Sequence, residues 1–212
     1  MLQRLQIWFD PLPRSGPENM AIDEWLAETC TEPILRSYAW EPDWGSFGYF
    51  VKRAELPASG LQWVRRWTGG GIVDHRADWT YTLFIPRGHA LAEARGAESY
   101  RSIHSALAAA LGSAARLAEP TAPAAGGDCF TQPVEHDILD PTGRKLAGAG
   151  QRRNARGLLH QGSVQGVKQQ LAAELAGRLA SQVESIKLAP DPSWLAAKST
   201  ERYGSEAWNF RR

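Results

Sequence analysis

The sequence contains few cysteines and no long apolar segment, and both absences limit what the protein can be. Only two cysteines, Cys30 and Cys129, occur in 212 residues. Two cysteines are too few for a disulfide scaffold, so we expect free thiols and a cytoplasmic protein. No stretch reaches the roughly 20 apolar residues of a membrane-spanning helix, and the N-terminus lacks the apolar run of a signal peptide. We therefore expect no membrane association.

The charge of the chain shows no excess of one sign. The 24 basic and 23 acidic residues leave a formal net charge of +1. This balance gives no general attraction to nucleic acid, so any basic surface must be local. No cluster of His, Cys, Asp and Glu has the spacing of metal ligands, and we predict no metal site.

The order of the predicted strands and helices favours a mixed α/β fold in one domain. Helical periodicity covers 17–30, 98–114 and 167–185, with a short helix at 192–203. Predicted strands cover 4–9, 34–40, a short segment ending near 51, 62–67, 79–86, 134–140, 144–149 and 157–164. The stretch 117–128, rich in Ala, Pro and Gly, is predicted to be a loop. Because βαβ alternation is absent, we expect a mixed or antiparallel central sheet flanked by helices.

Residues 65–75, Arg-Arg-Trp-Thr-Gly-Gly-Gly-Ile-Val-Asp-His, form the first segment that can carry chemistry. Three consecutive glycines let a backbone approach a ligand closely, and exposed N–H groups there can bind an anion or an acyl carbonyl. Arg65 and Arg66 can offer paired donors to a phosphate or a carboxylate. The spacing excludes a Walker loop and a dinucleotide fingerprint. A tight glycine turn between two strands is the alternative.

Lys145 and Cys129 are two further candidates. Small residues follow Lys145 in the sequence Leu-Ala-Gly-Ala-Gly, so a ligand can lie against that backbone and accept a hydrogen bond from the ammonium. The alternative is a solvent-facing strand lysine. Cys129 can be a nucleophile if Lys145 or a histidine lowers the pKa of its thiol. The alternative is a small buried hydrophobic residue.

Several segments, in order along nearly the whole chain, resemble the family of lipoate–protein ligase A, octanoyltransferases and biotin ligases. They are residues 19–24, 35–40, 46–50, 65–75, 145–148, 151–152, 160–163 and 203–209. The resemblance implies a central mixed sheet of the class II synthetase and biotin ligase type. It also implies that residues 1–212 form one catalytic domain without a C-terminal accessory domain.

The resemblance assigns roles to individual residues. It implies that Lys145 contacts the reacting carbonyl or an acyl phosphate, and that Cys129, 16 residues earlier, is the catalytic cysteine. The substrate-binding residues that it implies are Arg36, Arg65, Arg66, Gly69, Gly70, Gly71, His75, Gly148, Gln161 and Gly162.

Three activities are compatible with the resemblance. A transferase would attach octanoyl or lipoyl groups through an acyl-cysteine, without a cofactor and with acyl carrier protein as a possible donor. A ligase would use ATP and Mg to form lipoyl-AMP, in some cases with a separate accessory subunit. Both would modify the lysine of a lipoyl domain or of the glycine cleavage H protein. A non-catalytic module that binds carrier domains is the third.

Two features favour the transferase among these activities. The first is Cys129. The second is the end of the sequence just after Trp208-Asn209, where the large ATP-dependent ligases continue into an accessory domain. The segment 75–81, His-Arg-Ala-Asp-Trp-Thr-Tyr, also departs from the His-x-x-Gly-Asn pattern of the ligases. We therefore expect acyl transfer through a cysteine thioester.

Overall fold

The computed structural model describes residues 1–113, 115–119, 134–167 and 171–211. The strands in these ranges are β1 (Leu2–Phe9), β2 (Ile34–Tyr38), β3 (Trp44–Phe47), β4 (Gln62–Arg65), β5 (Ile72–Asp74), β6 (Asp78–Pro86), β7 (Arg116–Leu117), β8 (Ile138–Leu139), β9 (Lys145–Asn154), β10 (Gly157–Gln165) and β11 (Ala180–Ser185). The helices are α1 (Gly16–Thr29), α2 (Ala90–Glu93), α3 (Gly96–Leu111), α4 (Leu171–Leu179), α5 (Pro192–Lys198) and α6 (Glu206–Asn209). A 3₁₀ turn (Arg53–Glu55) and a π-helical segment (Ser199–Tyr203) complete them.

The strands form a large mixed sheet and a small one, which confirms the predicted architecture. The large sheet has the order β11-β1-β2-β6-β10-β9-β8-β7, and the small one has the order β4-β3-β5. β1 is parallel to β2 and to β11, whereas β6, β10 and β9 pair antiparallel. Hence the longest hairpin, β9–β10, lies beside the central strand β6.

Alternation along the strands gives the large sheet two apolar faces. In β6, Tyr81, Leu83 and Ile85 belong to the core under α3 and α4, and Phe84 belongs to the core under α1. The helix α1 starts where the Ser15 N–H donates to Glu18 Oε2 at 3.1 Å, which is half of a capping box. The helices therefore cover both faces, and the sheet's central strands are buried.

The predicted helix over 167–185 is wrong from residue 180 onward. α4 ends at Leu179, and β11 follows at once. Val183, which continues the helical spacing of the leucines, lies in β11 and is 42% exposed. Pairing from Leu2↔Ala180 to Ile7↔Ser185 satisfies the outer edge of β1. The hydrogen bonds of an otherwise open sheet edge thus outweigh the local helical pattern.

Arg36 of β2 fastens α1 to the large sheet. Its guanidinium is fully buried and donates to Asp10 Oδ2 and Asp23 Oδ1, both at 2.8 Å, and to Asn19 Oδ1 at 2.7 Å. Burial on its own would raise the pKa of Asp10, but the charges of Arg36 and Arg14 hold that pKa below its usual value. The helix and two strands therefore share one buried ionic network.

We predict that Arg36→Met destabilises the protein by about 3–5 kcal/mol, because it leaves the buried Asp23 carboxylate without its cation and removes one of the two arginines that pair with Asp10. Arg4 provides the matched control, since its ion pair with Glu184 is half exposed. Arg4→Met should cost under about 1 kcal/mol. Denaturant unfolding measures both values. Equal losses for the two variants would contradict this role of Arg36.

Candidate active site

A cavity of about 390 Å³ lies between the large and the small sheet. Gly148, Gly150 and Gly162 of β9 and β10 line one wall. Residues 71–77, which include β5, line the opposite wall. The volume is in the range of small-molecule sites in proteins, roughly 300–1,000 Å³. The cavity is therefore large enough to be a binding site for a small ligand.

Glycines let three backbone segments meet beside this cavity. A Cβ on Gly48 would lie 1.9 Å from Gly70 O, and one on Gly150 would lie 2.3 Å from Gly69 O. The Gly48 N–H donates to Gly71 O at 3.0 Å. Gly70 has a φ of +91°, a conformation that favours glycine. The glycine triplet thus bridges the small sheet and β9.

Only part of the triplet faces the cavity. Gly71 lines it, whereas Gly69 and Gly70 are not among the lining residues. Gly69 and Gly70 form the close backbone contacts at the cavity's edge, and their predicted ligand contacts stay predictions.

Arg36 and Arg65 do not reach the cavity either. The Arg36 guanidinium donates to the carboxylates of the buried network under α1. Arg65 is fully buried, and its guanidinium donates to the carbonyls of Tyr49 and Val51 at 2.8 Å and of Asn209 at 2.9 Å. Neither guanidinium therefore lines the cavity, and the predicted substrate contacts of both arginines stay predictions. Both arginines instead stabilise the packing of the elements that surround the cavity.

Arg66 lines the cavity as a buried cation with neutral partners. It donates to Ser46 Oγ and Gly71 O, each at 2.8 Å. Burial lowers its pKa to about 10, so it remains charged at neutral pH. Among the residues that the structure describes, no Asp or Glu forms an ion pair with it. Because a buried charge without a counterion is costly, this position suits an anion or an oxygen that gains negative charge.

His75 lines the cavity and is held by hydrogen bonds at both of its ring nitrogens. Its Nε2 lies 2.7 Å from Ser46 Oγ, and its Nδ1 lies 2.8 Å from Asp78 Oδ2. Ser46 Oγ also accepts from Arg66 Nη1 at 2.8 Å, which links His75 to the buried arginine. The ring stacks on Trp40 at 3.9 Å. His75 lines the cavity as predicted, with both of its nitrogens engaged.

Lys145 lines the cavity and forms an ion pair with an acid that the sequence analysis missed. Its Nζ lies 2.7 Å from Asp137 Oδ2; the lysine side chain is 33% exposed and that of Asp137 1%. A Cβ on Gly148 would lie 2.7 Å from the lysine Cε. Gly148 therefore leaves room for the lysine to fold across the strand.

Tyr100 of α3 holds Asp137 in turn. Its hydroxyl donates to Asp137 Oδ1 at 2.8 Å and accepts from the Ala149 N–H at 2.9 Å. Burial and then the Asp137 charge raise the Tyr100 pKa well above its usual value, so the phenol stays protonated. The helical stripe containing Tyr100 indicated only a core position, and no sequence signal linked Asp137 to Lys145.

Two buried histidines near this pair remain neutral. Burial lowers the pKa of His104 to about 4 and that of His160 well below its usual value. Neither imidazole therefore carries a positive charge at neutral pH. Neither of these two imidazoles can therefore lower the pKa of a thiol through a positive charge.

Gln161 and Gly162 line the cavity and also carry structural contacts. Gln161 Nε2 donates to Asp23 Oδ2 at 2.6 Å, and its oxygen accepts from Thr68 Oγ1 at 2.6 Å. A Cβ on Gly162 would lie 2.3 Å from the ring of Tyr81. The two residues thus tie the cavity wall to α1 and to the core.

Cys129 lies outside the described residues, and its predicted role stays a prediction. The described cysteine, Cys30, follows α1 and does not line the cavity; burial raises its pKa, which disfavours a nucleophilic thiolate. Within the described ranges, no group of three His, Cys, Asp or Glu could hold a metal ion. No helix in the same ranges is long and apolar enough to cross a membrane.

The family model of the lipoyl protein ligase A/B catalytic domain matches residues 15–175. The chain belongs to this family.

Curated relatives include two proteins named octanoyltransferase LipM. The one from Symbiobacterium thermophilum is 35% identical over 175 residues, which cover 71% of this chain and 61% of that protein. The one from Moorella thermoacetica is 37% identical over 163 residues, covering 69% and 59%. The matches thus span about three fifths of the length of these relatives.

Two solved structures share the fold. A lipoate-protein ligase A bound with ATP superposes with a TM-score of 0.76 at 18% identity, over 99% of both chains. A bi-partite lipoate protein ligase from Thermoplasma acidophilum, studied with its E2 lipoyl domain, has a TM-score of 0.70 at 17% identity. That match covers 99% of this chain and 96% of the other. At these identities the similarity establishes the fold alone.

We predict that Gly150→Ala destabilises the protein by about 1–3 kcal/mol, because the added methyl group collides with the backbone oxygen of Gly69. Gly69→Ala is the matched control, since a Cβ there meets no atom within 4 Å. It should change stability by less than about 0.5 kcal/mol. Chemical denaturation compares the two, and a stable Gly150→Ala protein would contradict the proposed contact.

Proposed function

We propose that this protein is an octanoyltransferase. It transfers an octanoyl group from a carrier thioester to Cys129, and then to the lysine of a lipoyl domain or of the glycine cleavage H protein. The observation that carries the proposal is Lys145, held by Asp137 at the cavity wall. The similarity to octanoyltransferases supports the choice of acyl group.

The position of Asp137 supports a role for Cys129 beside Lys145. Asp137 Oδ2 accepts from Lys145 Nζ and also from the Val134 N–H, at 2.9 Å. Cys129 stands five residues before Val134 in the sequence. Five residues of extended chain span at most about 18 Å. The chain length therefore keeps Cys129 within about 18 Å of Val134, whose N–H donates to the carboxylate that pairs with Lys145.

Apolar residues of the cavity can accommodate the acyl chain. Ile72, Val73, Leu146 and Ala147 line it beside the glycines of β9. At about 0.8 kcal/mol for each buried methylene, an octanoyl chain gains roughly 5 kcal/mol of gross transfer energy. That energy suffices for a coarse selection of chain length.

In the first step, the Cys129 thiolate attacks the carbonyl carbon of the carrier thioester. A bond forms between the cysteine sulfur and the acyl carbon, and the carrier leaves as a thiolate that takes up a proton. The Lys145 ammonium donates a hydrogen bond to the carbonyl oxygen as negative charge develops there. Arg66, a buried cation that has no carboxylate partner among the described residues, adds positive charge to the same cavity.

In the second step, the neutral amine of the acceptor lysine attacks the acyl-cysteine. A carbon–nitrogen bond forms, the carbon–sulfur bond breaks, and Cys129 leaves as a thiolate. The amine's proton passes to solvent or to the departing sulfur. Because a thioester donor is already activated, this reaction needs no cofactor.

A ligase that uses ATP and Mg is the alternative, and one observation favours it. Arg66 is also suited to the phosphate of an acyl-adenylate, because it lacks an anionic partner within the described residues. A non-catalytic module would have no need for the Lys145–Asp137 pair. We further propose that residues 1–212 act as one catalytic domain in the cytoplasm.

Loss of Lys145 should slow the transfer strongly. We expect Lys145→Met to lower kcat/KM by about 100- to 1,000-fold, the usual effect of removing one oxyanion donor. The exposed Lys187 gives the control, and Lys187→Met should retain full activity. Mass spectrometry of the octanoylated lipoyl domain follows the rate. Wild-type activity in Lys145→Met would exclude this role.

A direct test of the function is the intact mass of the protein after incubation with octanoyl acyl carrier protein. The proposal predicts an octanoyl adduct in the wild type and in Cys30→Ser, and none in Cys129→Ser. ATP-dependent formation of lipoyl-AMP, without an adduct on cysteine, would instead establish the ligase.

A further inference from the structure

Arginines and aromatic rings alternate on the surface formed by β9, the segment after β3 and the C-terminal residues. Arg152 lies over Trp67 at 4.5 Å, and Arg211 lies over Tyr49 at 4.2 Å. We call this the arginine–aromatic surface. Its members are Tyr49, Arg53, Trp67, Arg152, Trp208, Phe210 and Arg211.

Three of these arginines carry charges that no acid of the described residues neutralises. Arg53 stacks on Phe210 at 3.5 Å, and Arg53 and Arg211 are exposed, whereas Arg152 is half-buried. The neighbouring Arg202 differs, because it forms an ion pair with Glu24. The rings cover one face of the exposed Arg53 and Arg211 guanidiniums, which leaves their N–H edges as donors for carboxylates, whereas Arg152 Nη1 donates to Trp67 O at 3.4 Å. The surface is thus a local positive patch on a chain whose net charge is only +1.

The surface lies next to the cavity. The Tyr49 N–H donates to Thr68 O at 2.8 Å, which joins it to the glycine segment. Arg152 is two residues from Gly150 on the same face of β9, and Gly150 lines the cavity. A macromolecule seated on this surface would therefore hold its attached group close to the cavity mouth.

We propose that the arginine–aromatic surface docks the acyl donor, a carrier protein whose contact face is rich in Asp and Glu. This inference rests on the proposed function, because it takes the donor to be protein-bound. Charge complementarity selects the partner, and the rings supply apolar area in the way that aromatic residues do in protein interfaces. Phe50, 67% exposed, extends that apolar area.

The test is the affinity for acyl carrier protein that carries no acyl group, measured by fluorescence anisotropy. The double variant Arg53→Glu with Arg211→Glu should weaken binding by about 10- to 100-fold and flatten its dependence on salt. Arg152→Gln, which removes one charge without reversing it, should weaken binding by a few-fold. Arg101→Glu, an exposed change on α3, is the control and should have no effect.

Turnover adds a second readout. With octanoyl acyl carrier protein, the double variant should raise KM and leave kcat unchanged; with octanoyl-pantetheine, a small donor without charge, it should match the wild type. Unchanged affinity in the double variant would overturn the proposal. So would preferential binding of a single-stranded oligonucleotide, or a dimer of this chain that the double variant dissociates. Because the binding assay needs no catalysis, it remains decisive even if octanoyl transfer is not found.

Discussion

The close approach of backbone segments at the glycines is the constraint on which the site depends. Gly48 and Gly150 leave no room for a Cβ beside the carbonyls of Gly70 and Gly69. Without these contacts, the small sheet would stand farther from β9, and the cavity between the two sheets would lose one wall. The glycine triplet therefore acts first as a structural bridge, and only Gly71 faces the cavity.

The buried arginines divide into two kinds once this frame is known. Arg36 and Arg65 donate to carboxylates, amide oxygens and carbonyls of the protein. These hydrogen bonds hold α1 and the C-terminal residues against the sheets. Arg66 has only neutral partners among the described residues and lines the cavity. Together with Lys145, it gives one small space two positive charges, an arrangement suited to a reaction in which a carbonyl oxygen becomes negative.

The sequence predicted the sheet architecture and most strands, because alternation and β-branched residues mark them locally. The prediction was wrong where pairing with a distant strand determines the secondary structure. Residues 180–185 continue a helical pattern, but they form a strand that pairs with β1. In the site, Lys145, Arg66, Gly71 and His75, which the family pattern marks, line the cavity, whereas their contacts with a substrate stay predictions. Asp137 and Tyr100 were missed, since their contacts with Lys145 and Ala149 arise only when α3 packs beside β9.

The central claim is that the acyl chain lies in the cavity with its carbonyl at Lys145. The measurement that tests it most directly is a crystal structure of the protein with bound octanoate. The account predicts a carboxylate oxygen within hydrogen-bonding distance of Lys145 Nζ and an alkyl chain along Gly148 and Gly150, beside Ile72. A second, shallower groove is lined by residues that include Tyr100 and Val134. Octanoate bound in that groove, with the cavity empty, would contradict the central claim.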